Sequence, residues 1–247
     1  MKQHEAVVRV MEQNGGYATL GQLYEDVLDV PGCDWKTRTP FASIRRIVQV
    51  HRDLFFKVKP GLWALTAWQE RLPAGMRPTQ REDQEHSEFS HSYYQGLIIK
   101  LGNLRRFETH VSPQDRNRAF LGKGTLGDLA SLRQIHPFSY PHLINCARTV
   151  DVVWFNERRL PAALFEVEHS TDMKNSLVKY VELQDFRTDM IIVADERRSR
   201  QFEQTLTLQA FRPIRRFVRF LGYQELSDYY SNLVRAKIHE SKFGPVN

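Results

Sequence analysis

Apolar positions recur at helical spacing three times before residue 50. "HEAVVRVMEQNGG" sets Ala6, Val7, Val10 and Met11 on one face and stops at Gly15-Gly16. "ATLGQLYEDVLD" follows Thr19, whose hydroxyl suits an N-cap. "TPFASIRRIVQVH" opens with Pro40 behind Thr39 and aligns Phe41, Ile44, Ile47 and Val48. The period then shortens. "LFFKVKPGLWALT" predicts a hairpin, Phe55–Val58 and Leu62–Leu65, turned at Pro60-Gly61. Residues 67–90 lose periodicity and gather Pro, Gly and charge, the pattern of a linker.

Pattern returns at about residue 88. "EFSHSYYQGLIIKLGNLRRF" predicts a helix with Tyr94, Leu97, Ile98 and Leu101 inward, and "ETHVS" a short strand. "DVVWF" (151–155) and "ALFEVEH" (163–169) predict two strands joined by the polar "NERRLP". The next helix, in "STDMKNSLVKYVELQDF", takes Ser170 or Thr171 as N-cap and offers Leu177, Tyr180, Val181 and Phe186 to the core. "MIIVAD" (190–195) is apolar enough for an interior strand, "RFVRFLG" predicts another, and "ELSDYYSNLVRAKI" a closing helix. This order calls for an α/β fold with a mixed sheet flanked by helices on both faces. The expected layout is a first domain over 1–68, a linker over 69–87 and a second domain over 88–247.

The composition agrees with one large folded domain or two ordinary ones: 247 residues, 41% of them hydrophobic. The apolar runs are too short to span a bilayer, and "MKQHEAVVRVMEQNGG" lacks a signal peptide's apolar core, so a soluble cytoplasmic protein is expected, with no membrane partner. The two cysteines, Cys33 and Cys146, have no metal-site or disulfide-framework spacing. A net charge of +6 favours a polyanionic partner. Within residues 1–70 the signs separate, with Glu25, Asp26, Asp29 and Asp34 ahead of Lys36, Arg38, Arg45, Arg46 and Arg52. "LGKGTLGD" lacks P-loop spacing and is read as a basic loop that brings Lys123 near DNA.

The candidate chemistry lies in "PAALFEVEHST". Glu166 and Glu168 alternate around Val167, so both point to one face of a strand. If "DVVWF" pairs antiparallel with "ALFEVEH", placing the turn at Arg158 or Arg159 brings Asp151 beside Glu166 or Glu168. Three carboxylates on one patch repel unless a cation sits among them. Hard oxygen donors suit Mg²⁺, with Mn²⁺ as a substitute, and such an ion activates water toward a phosphodiester.

Two resemblances follow from these residues. Three helices and a hairpin, with a Gly after the first helix, "TP" opening the third and "KVKPGLWAL" as wing, resemble the HARE-HTH type of winged helix. That resemblance implies contact with double-stranded DNA through Arg45 and Arg46 on the third helix and Lys57 and Lys59 on the wing, and it raises the reading of modified bases. Asp151, then Glu166-Val167-Glu168, a helix and an apolar strand resemble the PD-(D/E)xK nuclease superfamily over residues 88–235. Val150 stands where the family has proline, and Glu168 stands where it has lysine, a Glu-x-Glu variant.

The nuclease resemblance implies a Mg²⁺-dependent DNA endonuclease of the restriction or defence type, working as a homodimer. Asp151 and Glu166 would hold the metal, and Glu168 would orient or deprotonate the attacking water. Glu88 or Gln95 on the first helix of the domain would join the site, and Lys174 or Lys179 would supply the displaced positive charge. The alternative is a DNA-binding regulator whose nuclease-like domain is inactive because the lysine is gone.

Overall fold

Two adjacent glycines make the first turn of the chain. Gly15 and Gly16 hold φ of +86° and +91°, which an L side chain adopts only under strain. The computed structural model describes residues 1–79, 83–169 and 172–241. Before the glycines lies α1 (Gln3–Gln13), and after them a three-residue strand, β1 (Tyr17–Thr19). Thr19 ends that strand and caps α2 (Leu20–Asp26), its hydroxyl accepting from the Gln22 amide while the Gln22 side chain returns to the Thr19 amide. Next come α3 (Pro40–Val50), with Pro40 in its first turn, and the hairpin β2 (Phe55–Lys59) and β3 (Leu62–Leu65). Gly61 turns the hairpin at φ +75°. β1 pairs with β3, giving an antiparallel sheet in the order β1-β3-β2 over a core that includes Val7, Met11, Leu23, Ile44 and Phe55.

The expected linker is partly folded. Short 3-10 turns cover Thr66–Arg71 and Ala74–Met76, and Leu72 and Met76 are buried. Few apolar residues in a Pro- and Gly-rich stretch still suffice to anchor it, which composition alone hides.

A second set of elements follows: α4 (Gln84–Leu104), β4 (Glu108–Val111), α5 (Leu126–Leu129), α6 (Pro141–Ala147), β5 (Val152–Phe155), β6 (Pro161–Glu168), α7 (Lys174–Glu182), β7 (Asp189–Ala194), α8 (Ser199–Leu206), β8 (Val218–Gly222) and α9 (Tyr223–Ser241). The strands form one mixed sheet in the order β4-β5-β6-β7-β8, antiparallel across the first two joins and parallel across the last two. β7 is an interior strand, as its unbroken apolar run requires. Tyr180 and Leu177 of α7 pack on Leu164 and Ile192, and the Tyr180 hydroxyl donates to the Ile191 carbonyl at 2.8 Å. Ser170 and Thr171, the expected caps of α7, lie outside the described residues; Met173 occupies its N-cap. Short α5 and α6 escaped the sequence pattern because neither spans two full turns.

The chain divides into two compact units, Met1–His86 with Ser227–Asn247, and Ser87–Leu226. The closing helix therefore departs from the expected second domain of 88–247. Its stripe of Tyr230, Val234 and Ile238 packs with the first unit: a Cβ on Gly21 would stand 2.7 Å from the Tyr230 ring and 3.2 Å from Val234. The Ser227 hydroxyl donates to the Pro60 carbonyl at 2.8 Å. Among the described residues, no helix is long and apolar enough to cross a membrane.

Candidate active site

The β5–β6 hairpin builds the site. The pairs Val152–Phe165, Val153–Leu164 and Trp154–Ala163 set a register that, carried one residue further, places Asp151 opposite Glu166. Asp151 then replaces a ladder carbonyl with its side chain: Oδ2 accepts from the Val167 amide at 2.7 Å. On the other side β6 runs parallel to β7, with Glu166 beside Ile192 and Glu168 beside Ala194. Asp151, Glu166 and Glu168 are only 5%, 3% and 5% exposed. The three carboxylates are buried and held by named partners.

Helix α7 supplies most of those partners. Lys179 Nζ lies 2.8 and 3.0 Å from the two oxygens of Glu166 and 3.0 Å from the Thr149 carbonyl. The Ser176 hydroxyl lies 2.8 Å from Glu166 Oε2 and also touches Glu168 Oε1. Burial, and then the Asp151 charge, push the Glu166 carboxyl pKa up, while Lys179 and Ser176 pull against them. Burial disfavours the Lys179 ammonium, yet Glu166 outweighs it and holds that pKa above its ordinary value. Lys174 is not brought to the carboxylates; it sits on the surface beside Asp172 at 3.5 Å.

A second arm approaches Asp151 from α4 and the loop after β4. His91 Nε2 lies 3.5 Å from Asp151 Oδ2 and 3.8 Å from Asp115 Oδ2. Asp115 is buried and fully engaged, accepting from Gln95 at 2.9 Å, from Ser112 at 2.9 Å and from Arg118 Nε at 2.7 Å. Burial opposes charge on both groups, but their mutual attraction prevails, with Gln95 and Ser112 also donating to Asp115. The Asp115 pKa falls to about 2, and the His91 pKa rises to about 10, helped by Asp151. Ser87, Glu88, His91, Asp115, Arg118 and Asp151 line a cleft of about 320 Å³. Glu88 thus borders the site, whereas Gln95 acts behind it by holding Asp115.

Three side chains were not anticipated: His91, Asp115 and Ser176. Asp115 and His91 meet Asp151 only through the path of the chain, and no local spacing announces it. Ser176 had a signal, because it stands three residues before Lys179 and so shares its helix face. His169, just past β6, has Nδ1 3.4 Å from the Tyr223 hydroxyl.

The donor set suits a hard divalent cation. Asp151, Glu166 and Glu168 offer only oxygens, and ligand atoms of His91, Asp115 and Asp151 lie within 4.8 Å of one another. Asp151 belongs to both groups.

The expected DNA contacts occupy different surroundings. Arg45 is ion-paired to Asp228, which compensates its charge. Arg46 and Lys57 are exposed, Lys59 is half-buried, and exposed Lys123 stands between Gly122 and Gly124, both at positive φ. Of the arginines in "DERRSR", Arg197 pairs with Asp195 at 2.7 Å and Arg198 donates to the Glu168 carbonyl at 2.7 Å.

The family model of the Type II restriction enzyme NmeDI C-terminal domain matches residues 71–243. The chain is similar to the Type II restriction enzyme NmeDI of Neisseria meningitidis serogroup C, at 28% identity over 159 residues, 60% of this chain and 44% of that protein. It therefore spans less than half the length of this curated relative. No solved structure matches it.

Proposed function

Because the chain belongs to the family of the Type II restriction enzyme NmeDI C-terminal domain, we propose that it is a metal-dependent DNA endonuclease of the restriction type. The observation that carries this reading is the convergence of buried Asp151, Glu166 and Glu168 at one end of a hairpin, with the Lys179 ammonium on Glu166. A regulator with a silent site has no need to bury three carboxylates together, where each adds to the repulsion on the others.

Asp151 and Glu166 would hold Mg²⁺ or Mn²⁺, which when bound polarises the phosphodiester and acidifies water. The chain's own groups do the rest. The Val167 amide fixes Asp151, and Lys179 fixes Glu166. Glu168, on the same face, takes the proton of the attacking water. Lys179 replaces in space the lysine that Glu168 displaces in sequence. Its tie to the Thr149 carbonyl and to Glu166 holds the positive charge beside the carboxylates.

The first unit serves in this reading as a winged helix resembling the HARE-HTH type. α3 enters the major groove with Arg46 outward, and the β2–β3 wing lays Lys57 against the backbone. Duplexes carrying modified bases are accordingly the first substrates to try. One centre cuts one strand, so clean double-strand breaks would favour two chains about a two-fold axis.

The test is incubation of the purified protein with methylated and unmethylated duplexes, with Mg²⁺ and with chelator. Cleavage that stops in chelator and in Glu166→Ala, with metal-free binding retained, supports the proposal. Cutting undiminished in both conditions removes the mechanism, and a wild type that cuts none of these duplexes favours the regulator.

A further inference from the structure

We infer that Ser176 is a positioning residue of the centre, setting the separation of the two glutamates that face the metal and the water. This rests on the nuclease reading above and concerns a side chain that reading does not require. Same-face side chains two residues apart on a strand emerge about 6.6 Å apart. Left alone, two such carboxylates turn away from each other, because their charges repel. Here one hydroxyl spans them. Ser176 Oγ lies 2.8 Å from Glu166 Oε2 and touches Glu168 Oε1, and Ser176 is only 2% exposed, so water does not replace it.

The helix makes the bridge rigid. Leu177 and Tyr180 are fully buried in the core, and the Tyr180 hydroxyl is bonded to the Leu164 carbonyl of β6, the strand of both glutamates, and to the Ile191 carbonyl of β7. One turn on, Lys179 binds both oxygens of Glu166, while the Cys146 thiol contacts the Lys179 carbonyl at 3.8 Å. Glu166 is thus held from two points on α7, and Glu168 is drawn toward it by one of them. Groups that orient metal-binding carboxylates typically change metal affinity or activity ~10–100-fold when removed. Ser176 meets that description although it touches neither metal nor substrate.

The decisive comparison is between Ser176→Thr and Ser176→Val in the full chain, since the two side chains have nearly equal volume and differ by the hydroxyl. Ser176→Ala serves as a third variant. Mn²⁺ binding without DNA is followed by the paramagnetic resonance of the free ion, and single-turnover cleavage is followed separately; thermal melting reports folding. Expected are ~10–100-fold weaker Mn²⁺ binding and a comparable loss of rate for Val and Ala, with Thr near wild type. Val and Thr equal to each other in both readouts overturns the inference, even when the wild type binds metal and cuts. Wild-type protein that neither binds Mn²⁺ nor cuts any duplex overturns the nuclease reading and this one with it.

Discussion

Lys179 Nζ and Glu166 Oε1 lie 2.8 Å apart across 13 residues of sequence, joining a helix to the strand it covers. The glutamate is buried beside Asp151, which pushes its pKa up, and the ammonium partly offsets that.

Lys179→Met keeps the length and removes the charge. Cleavage is expected to slow by ~10–100-fold or more, as for loss of a group that orients a metal ligand, while Lys174→Met, on the surface beside Asp172, leaves it unchanged. Single-turnover rates on one duplex check both. Equal losses at the two positions would assign the effect to overall charge instead of to this contact.

Arg46→Ala with Lys57→Ala should weaken DNA binding and lower the slope of log affinity against log salt by roughly 1.8, two phosphate contacts at ~0.9 each. Arg45→Ala should act differently, since its guanidinium is ion-paired to Asp228. Its loss removes that ion pair and shows as reduced stability. Binding titrations at four salt concentrations, with melting curves, separate the two.

His110 gives a pH signature. It is buried in β4, and burial, then Arg116 and Arg148, lower its pKa from 6.5 to about 4. The folded imidazole stays neutral down to that value while the unfolded one protonates near 6.5. Unfolding therefore takes up a proton in between, and stability is lost as pH falls from 6.5 to about 4, with no contribution above that window. Melting curves of wild type and His110→Gln should diverge above pH 4 and run parallel above pH 7.5. Parallel curves throughout would remove His110 as the cause.

The acid pair was legible in the sequence because a strand has period two: Glu166 and Glu168 had to share a face, and the only turn-like stretch placed Asp151 opposite. The interior strands of the larger sheet were legible for another reason, as short apolar runs bounded by polar turns. β1 was not, since three residues carry no period, and its partner β3 lies far along the chain. The amphipathic stripe of α9 announced that the helix needs a partner without saying which one. Asp115 and His91 were hidden by the same rule: polar residues in a loop and on a helix acquire meaning only once the backbone brings them to Asp151.

Gly21→Ala tests the α9 contact. In an exposed helix the change would stabilise by up to ~1 kcal/mol. Here the new methyl meets the Tyr230 ring at 2.7 Å, and overpacking of this kind costs typically ~1–3 kcal/mol. A lower melting temperature is expected, with recovery when Tyr230→Leu removes the ring carbon that the methyl meets. A raised melting temperature in the single variant would show that α9 yields easily.

That same contact orders events during synthesis. Residues 87–226 leave the ribosome before Tyr230 and Val234 can reach Gly21. Domains fold as their chain emerges, so the carboxylate-bearing unit has its whole sequence available while the unit proposed to grip DNA still lacks part of its core. A newly made chain thus passes through a stage in which the proposed cutting centre has its full sequence and the proposed DNA grip does not. Under the proposed function, recognition is completed last, an order set by where α9 lies along the chain.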